Sequence, residues 1–529
     1  MAGWRLFFGI LLLPWAAGCF NRAGDAMMCG PYLENAGPGG ITIRWISDTQ
    51  SAGVVRWGVA GDRTLERQTT AMASACRYVR DPALSRIPAA EIPADAYAET
   101  WFYEARLEGL APGTPYRYAV VFSGLTREGT FRTFPDRTEP FTFVVFSDTH
   151  GDDAVAAAFT AHQPAFLINA GDLVDREYLP EYLKFFSPEM TAAAGRAPMF
   201  AARGNHDQSG RLLARLFTFP EGRLYYSFDY ANAHVVCLDS CLWRWPDGDE
   251  KIKDMLAWCE DDLKRSRAEW KIVFFHEPPY DLSYRRTNWG REDALPIFRR
   301  HGVDLIFCGH AHAYQRFVPL FWPGENDRHP ITLIVGAGGS GKYLAMPRRA
   351  DPHLAVRRDE NHFMVCRVDG SRFFLQTLTA DGREIDALVL AKQDGRLDPA
   401  YIAQALPEET FGLIEQSLSR LPLPRREIAP GEIFTITLTL RAGSEPYDFE
   451  LRPAEEMPGV AESAEPCVGT VPAHSQLDVP VKLRALKAIR PAEHGNRTTP
   501  LFALECRYRA GGRTGVISSE LARMPRPAP

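Results

Sequence analysis

Between Phe141 and Cys308 six short apolar runs alternate with longer polar or helical stretches, and this alternation restricts the fold more than any other feature of the chain. The runs are Phe141–Phe146, Ala165–Asn169, Met199–Ala201, Val235–Leu238, Ile272–Phe275 and Leu305–Cys308. They are too short for core helices, rich in Val, Ile and Phe, and apolar apart from Thr142 and Asn169. That pattern predicts the strands of an α/β domain, with helices such as Glu250–Arg267 between them. In an open α/β sheet, side chains just beyond the carboxyl ends of the strands share one crevice. The residues directly after each run therefore identify the chemistry.

Five short motifs succeed the runs in order. They are Asp148-Thr149-His150, Gly171-Asp172-Leu173-Val174-Asp175, Gly204-Asn205-His206-Asp207, His276-Glu277-Pro278-Pro279-Tyr280 and Gly309-His310-Ala311-His312. Carboxylate, amide oxygen and imidazole are hard to borderline donors for divalent metals. A carboxylate can bridge two ions roughly 3.5–4 Å apart, and a hydroxide held between them can attack phosphorus in line. One histidine after an apolar run is ordinarily structural; five histidines with Asp148, Asp172 and Asn205 are not. Tyr280 either lines a substrate cleft or packs against Pro278 and Pro279. Glu277 reads as a supporting or solvated carboxylate. The run Gly336-Ala337-Gly338-Gly339-Ser340-Gly341-Lys342 lacks the Ser or Thr of a nucleotide-binding P-loop, since Tyr343 comes next, and reads as a glycine-rich turn.

The series DxH, GDxxD, GNH(D/E), H and GHxH resembles the calcineurin-like metallophosphoesterase superfamily over about 141–390. The run Gly309-His310-Ala311-His312-Ala313-Tyr314-Gln315-Arg316 and the β-rich segment before the motifs resemble purple acid phosphatases more closely. The resemblance implies a two-sheet β core flanked by helices. It implies a first metal on Asp148, His150, Asp172 and His312, and a second on Asp172, Asn205, His276 and His310, bridged by Asp172. It implies two divalent or mixed-valence transition-metal ions (Fe, Zn or Mn) acting on a phosphorylated small-molecule or polymer substrate. His206 would protonate the leaving oxygen, with Asp207 orienting it. Gly171-Asp172-Leu173-Val174-Asp175-Arg176 is also similar to the serine/threonine phosphatase motif, which makes Arg176 a candidate phosphate contact, although Glu177 departs from that family's glycine. Two positions depart from purple acid phosphatases. Asp175 stands where they have a metal-binding tyrosine, and His150 stands where they commonly have no histidine. The expected protein is thus nearly colourless, without a committed ferric ion.

The flanks have a different grammar. Ile41–Trp45 and Val54–Trp57 are β-branched and aromatic, and Leu107–Tyr118 couples a turn signal to alternating aromatics. The latter resembles the fibronectin type III signature, whose tyrosine anchors a corner of the sandwich. Asp398-Pro399 predicts a helix start, with the helix interrupted near Pro407 and ending about Leu418. Phe434–Leu440 alternates cleanly. The expected architecture is multidomain α+β: a fibronectin III-like β-sandwich over 29–135, an α/β metallophosphoesterase domain over 139–395, a helical linker over 396–427 and a C-terminal β-sandwich over 428–529.

Arg5, the apolar run Leu6–Leu13 and Ala16-Ala17-Gly18 before Cys19 are similar to a bacterial lipoprotein signal, which gives a signal peptide over 1–18. The expectation is export to the bacterial periplasm or cell surface, with membrane attachment only through a lipid on Cys19. Cys29 with Cys76, Cys237 with Cys241, and Cys467 with Cys506 are candidate bridges, while Cys237 and Cys308 also read as buried thiols. A net charge of −6 without a basic tract argues against a dedicated nucleic-acid binder. Asn496-Arg497-Thr498 reads as an incidental glycosylation match. The leading expectation is a phosphomonoesterase. The alternatives are a phosphodiesterase or nucleotide hydrolase with the same centre, and a surface-binding module with a vestigial metal site.

Overall fold

The computed structural model describes residues 27–77, 99–152, 154–282, 288–318, 332–336, 354–402, 408–418, 421–422, 426–454, 459–489, 503–510 and 513–519. The signal-like N-terminus, Gly338-Gly339-Ser340-Gly341-Lys342 and Asn496-Arg497-Thr498 lie outside them.

The apolar runs become strands. Phe141–Phe146, Leu167–Asn169 and Met199–Ala201 are adjacent and parallel, and antiparallel strands His362–Asp369, Arg372–Thr379 and Glu384–Gln393 extend their sheet to seven strands with Arg396–Leu397. Ala233–Cys237, Trp270–Phe274, Leu305–Cys308 and Thr332–Val335 form the parallel centre of a second seven-stranded sheet. Side-chain alternation decides how the layers stack. Val235, Ile272, Phe274, Leu305 and Phe307 join Phe143, Val145 and Met364 in the core between the sheets. Their neighbours Val236, Val273 and Ile306 point the other way, onto Met255, Cys259, Leu295 and Phe298 of helices Gly248–Arg265 and Ala294–Arg300. Both faces of each central strand are buried, which is why the sequence shows unbroken apolar runs there.

The fold class is multidomain α+β, as expected. Before the two-sheet core, strands form two four-stranded antiparallel sheets around Trp45, Tyr103, Tyr118 and Phe122. Tyr116 Oη accepts the amide of Ala111 at 2.9 Å, so the tyrosine closes the turn that precedes its own strand. After the core, helices Pro399–Ile402 and Glu408–Leu418 lead to a three-stranded and a four-stranded sheet. The core of this last region is continuous with the helix-covered face of the second catalytic sheet. The N-terminal sheets are joined to the two-sheet core by apolar packing, with Tyr32 stacked on Phe186 and Cys29, Ile46 and Phe102 in the same buried cluster, and by polar contacts. Tyr32 Oη and Tyr118 Oη donate to the carbonyls of Leu216 and Gly195, each at 2.7 Å, and Glu34 accepts from Thr218 N and Oγ1 while pairing with Arg44.

The candidate disulfides are corrected. All nine cysteines of the described residues are free. Cys467 and Cys506 both pair with Leu451, from opposite sides of its strand. Two strand spacings, about 10 Å, exceed the reach of a bridge. Cys29 and Cys76 lie on opposite edge strands of one sheet. Cys237 and Cys308 are buried thiols.

Candidate metal centre

The five motifs occupy the loops at the carboxyl ends of the parallel strands, and these loops carry unusual backbone. Asp148, His150, Asp172, His310 and His312 all have φ between +49° and +71°. A left-handed conformation is costly for a residue with a Cβ and persists where the surroundings impose it. Here it turns each chain sharply, so that consecutive donors point inward from a loop only a few residues long. The motif glycines allow the close packing. A Cβ on Gly171 would lie 2.6 Å from His276 Nδ1, one on Gly309 would lie 2.5 Å from Asp148 Oδ2, and one on Gly204 would collide with the Asp172 carboxylate.

The donors fall into two overlapping sets. Asp148, His150, Asp172 and His312 form one; Asp172, His276 and His310 form the other, and Asp172 is common to both. His150 Nε2 and His312 Nε2 are 3.0 Å apart, and His312 Nε2 is 3.4 Å from Asp148 Oδ1. His276 Nε2 lies 3.2 Å from Asp172 Oδ2, from Asn205 Oδ1 and from His310 Nδ1. Donors spaced around one ion at bonds of about 2.0–2.1 Å sit about 3.3 Å from each other. Asp172 Oδ2 is also fully buried without a hydrogen-bond donor. An orphaned carboxylate oxygen between two imidazole clusters fits a bridging ligand to cations. The residues present therefore suit two metal ions, with Asn205 completing the second set.

Neighbouring groups aim these donors. Ser147 Oγ donates to Asp148 Oδ2 at 2.6 Å, and the amide of His206 donates to Asp172 Oδ1 at 2.7 Å. His276 Nδ1 faces the Ala170 carbonyl at 3.0 Å, which leaves Nε2 for a metal. Burial opposes charge on both Asp172 and His276. Their mutual attraction overcomes it, holding the Asp172 carboxyl well below its usual range and raising His276 to about 9.

Asp175 has a different role from the tyrosine position it matches. Its Oδ1 lies 2.9 Å from His150 Nδ1 and 3.8 Å from His206 Nδ1, so one carboxylate stands behind both rings. His206 Nδ1 is 2.9 Å from the Asp175 carbonyl, and its side chain is 32% exposed on the rim of the cluster. Asp207 does not orient His206, contrary to expectation. Its carboxylate is fully buried and accepts from the amides of Asp172 and Gly204 and from Tyr182 Oη. It holds the metal loops together, and burial beside the Asp172 charge raises it to about 7. Tyr280 is not presented to the cluster either: its ring is 7% exposed, edge-on to Phe317, with the Arg291 guanidinium over its face. Arg176 is partly buried, next to Asp175 in the chain.

Sequence reasoning missed Ser147 and the buried Arg203–Asp239 pair, in which Arg203 Nη2 donates to Asp239 at 2.9 Å immediately before Gly204. Only the positions of Ser147 and Arg203 next to motif residues, and of Asp239 directly after the run Val235–Leu238, could have signalled them.

Comparison with known proteins agrees with this geometry. The calcineurin-like phosphoesterase family model matches residues 141–314. Residues 141–314 are thus a calcineurin-like phosphoesterase domain, and purple acid phosphatases are among the chain's relatives. The chain is 27% identical over 293 residues to purple acid phosphatase 22 of Arabidopsis thaliana, a match covering 50% of this chain and 65% of that protein. It is 25% identical over 448 residues to acid phosphatase type 7 of Mus musculus, covering 73% of this chain and 96% of that one. The chain spans less than two thirds of the first of these relatives and 60% of purple acid phosphatase 21 of Arabidopsis thaliana. Among solved structures, a purple acid phosphatase from yellow lupin (Lupinus luteus) seeds shares the fold, with a TM-score of 0.55 at 18% identity over 71% of this chain and 76% of that one.

Proposed function

We propose that this protein hydrolyses phosphate esters, with monoesters as its main substrates, using two metal ions held by Asp148, His150, Asp172, Asn205, His276, His310 and His312. The observation that carries the reading is Asp172, shared by two buried donor sets beneath a partly exposed His206. Two ions bound there would polarise the phosphoryl oxygens and make water nucleophilic near neutral pH. The chain's own residues do the rest. His206 engages the Asp175 carbonyl through Nδ1, which directs Nε2 outward, where a protonated imidazole can hand its proton to a departing alkoxide. Asp175 fixes the orientation of His150 through its carboxylate and of His206 through its carbonyl. Burial of the ligand side chains excludes bulk water and strengthens every charge interaction within the site.

Ions at these positions would be divalent Zn, Mn or Fe, because neutral His150 takes the place of a charged phenolate and Asp175 has no visible charge-transfer band. The reading extends to a fibronectin III-like N-terminal domain, supported by the Tyr116 corner. It also extends to export with a lipid on Cys19, supported by the N-terminal residues alone. No helix among the described residues is long and apolar enough to cross a membrane.

The test is metal analysis with a substrate panel. Purified protein should carry about two transition-metal ions, lack a strong visible band, lose activity on chelation and regain it with divalent metal. Asp172→Asn should lose more metal than Asp148→Asn, because it serves both sets. Full occupancy and activity in Asp172→Asn would refute the assignment. Faster turnover of diesters or nucleotides than of monoesters would transfer the same centre to a different substrate class.

A further inference from the structure

Trp243 is the residue whose placement the fold does not explain. Tryptophan is ordinarily well covered in a folded chain, and Trp45 and Trp270 are fully buried, yet Trp243 is 47% exposed. It is nevertheless held in a fixed position. Its indole N–H donates to Glu277 Oε2 at 2.9 Å, and Glu277 is 4% exposed and directly follows the donor His276. Arg244 Nη2 donates to the other Glu277 oxygen at 3.2 Å, which keeps its guanidinium 4.4 Å from the centre of the Trp243 ring. The amide of Glu277 is fixed in turn by Ser240 Oγ at 2.8 Å.

The short helical turn Leu242–Arg244 that carries this ring is tied to two metal-ligand loops. Through Glu277 it is joined to His276. Through Asp239, which accepts the Cys241 amide at 3.0 Å and pairs with Arg203, it is joined to Gly204-Asn205-His206. The turn comes after the strand Ala233–Cys237, which runs parallel to Trp270–Phe274, so it leaves the sheet at the same end as His276. Gly248 lets the next helix close onto the turn, since a Cβ there would meet the Leu242 carbonyl. The result is an indole with one edge hydrogen-bonded, a guanidinium stacked against it and nearly half its surface in water, at the carboxyl end where the donors converge. A solvent-facing aromatic fixed in this way loses little conformational entropy when it stacks on a flat ring.

We propose that Trp243 is a specificity residue that stacks on the leaving group, so that the site favours phosphate esters bearing a planar aromatic ring over saturated ones. This rests on the phosphoesterase reading above and adds the substrate class. Two sources share that chemistry, a simple aryl group and a nucleobase.

The test compares matched ligands that differ only in the ring. The kcat/KM ratio of phenyl phosphate to cyclohexyl phosphate is measured for the metal-loaded wild type, Trp243→Ala and Trp243→Phe. The ratio of adenosine 5′-monophosphate to ribose 5-phosphate is measured in parallel. Calorimetric Kd values for phenylphosphonate and cyclohexylphosphonate give a readout independent of turnover. Leaving-group reactivity cancels when each ratio is compared between variants. At least one aromatic-to-saturated ratio should fall about tenfold in Trp243→Ala and stay within about threefold of wild type in Trp243→Phe. A fall only in the phenyl pair identifies an aryl group; a fall only in the nucleotide pair identifies a base. Ratios unchanged in Trp243→Ala overturn the proposal while leaving hydrolysis intact. If the wild type hydrolyses nothing but its phosphonate preference still collapses in Trp243→Ala, the platform stands and the hydrolytic reading falls. Absence of both hydrolysis and phosphonate binding overturns both.

Discussion

At the scale of single residues, the site separates buried donor side chains from one partly exposed histidine. His206 is 32% exposed, with Nδ1 committed to the Asp175 carbonyl, while His150, His276 and His312 are buried. His206→Ala should therefore retain both metals yet lose turnover by about 10²–10⁴ on esters with poor leaving groups. Nitrophenyl phosphate, whose leaving group needs no proton, should suffer less. Kinetics over a leaving-group series check this, and equal losses throughout would remove His206 from the proton-transfer role. Asp207 shows how a motif can mislead at this scale. Adjacency to His206 suggested a dyad, but backbone direction turns its carboxylate back onto Gly204, Asp172 and Tyr182.

At the scale of elements, the decisive units are the tight loops after the parallel strands. Gly204 has no room for a methyl group beside the Asp172 carboxylate. Gly204→Ala should displace the shared ligand and lower metal content to one ion or fewer, with the far-ultraviolet circular dichroism spectrum retained. Metal analysis of the folded variant measures this, and two tightly bound ions would contradict it. Away from the site, His234 pins its strand to the helix Gly248–Arg265. Its Nδ1 lies 2.7 Å from Asp229 and its Nε2 3.0 Å from Asp262. Burial disfavours its charge, but the two carboxylates outweigh this and raise it to about 9 from 6.5. A group raised on folding stabilises fully below its unfolded value, and the stabilisation disappears as pH rises through the folded one. The wild type should thus exceed His234→Gln by on the order of 2 kcal/mol below pH 6.5, with the gap closing as pH passes about 9. Urea unfolding across pH measures it; a gap that widens with pH would reverse the sign.

At the scale of the whole molecule, the N-terminal sheets are attached by shared apolar packing and a small number of buried polar contacts. Glu34 is 1% exposed, pairs with Arg44 and accepts from both the amide and hydroxyl of Thr218 on the catalytic side. Glu34→Ala leaves those donors without their acceptor and should destabilise the protein by about 3 kcal/mol. Calorimetry should show a lower transition for the N-terminal part, or a split one, while the metal content per folded chain stays at two. An unshifted transition would show that the contact carries no weight. The C-terminal sheets are attached through a core continuous with the helix-covered face of the second seven-stranded sheet.

The sequence by itself determined the strand runs and the donor side chains that follow them. Apolar runs with donor side chains just beyond them pointed to one crevice, while the assignment of Asp148, His150, Asp172, Asn205, His276, His310 and His312 to two metals came from the resemblance of their motifs to the calcineurin-like metallophosphoesterase series. The glycines of the motifs were legible as residues but not as reasons, because what each avoids is a side chain from another loop: His276 for Gly171, Asp148 for Gly309, Asp172 for Gly204. Only the tertiary structure decided what depends on direction rather than order. It sent Asp207 to the loop backbone, gave Asp175 to His150 and His206, turned Tyr280 into the core, and set Cys467 and Cys506 on opposite sides of Leu451. It also brought Trp243 to Glu277 across 34 residues. Periodicity along a chain reports which face a residue occupies; which neighbour it meets there is settled by the packing of segments distant in sequence.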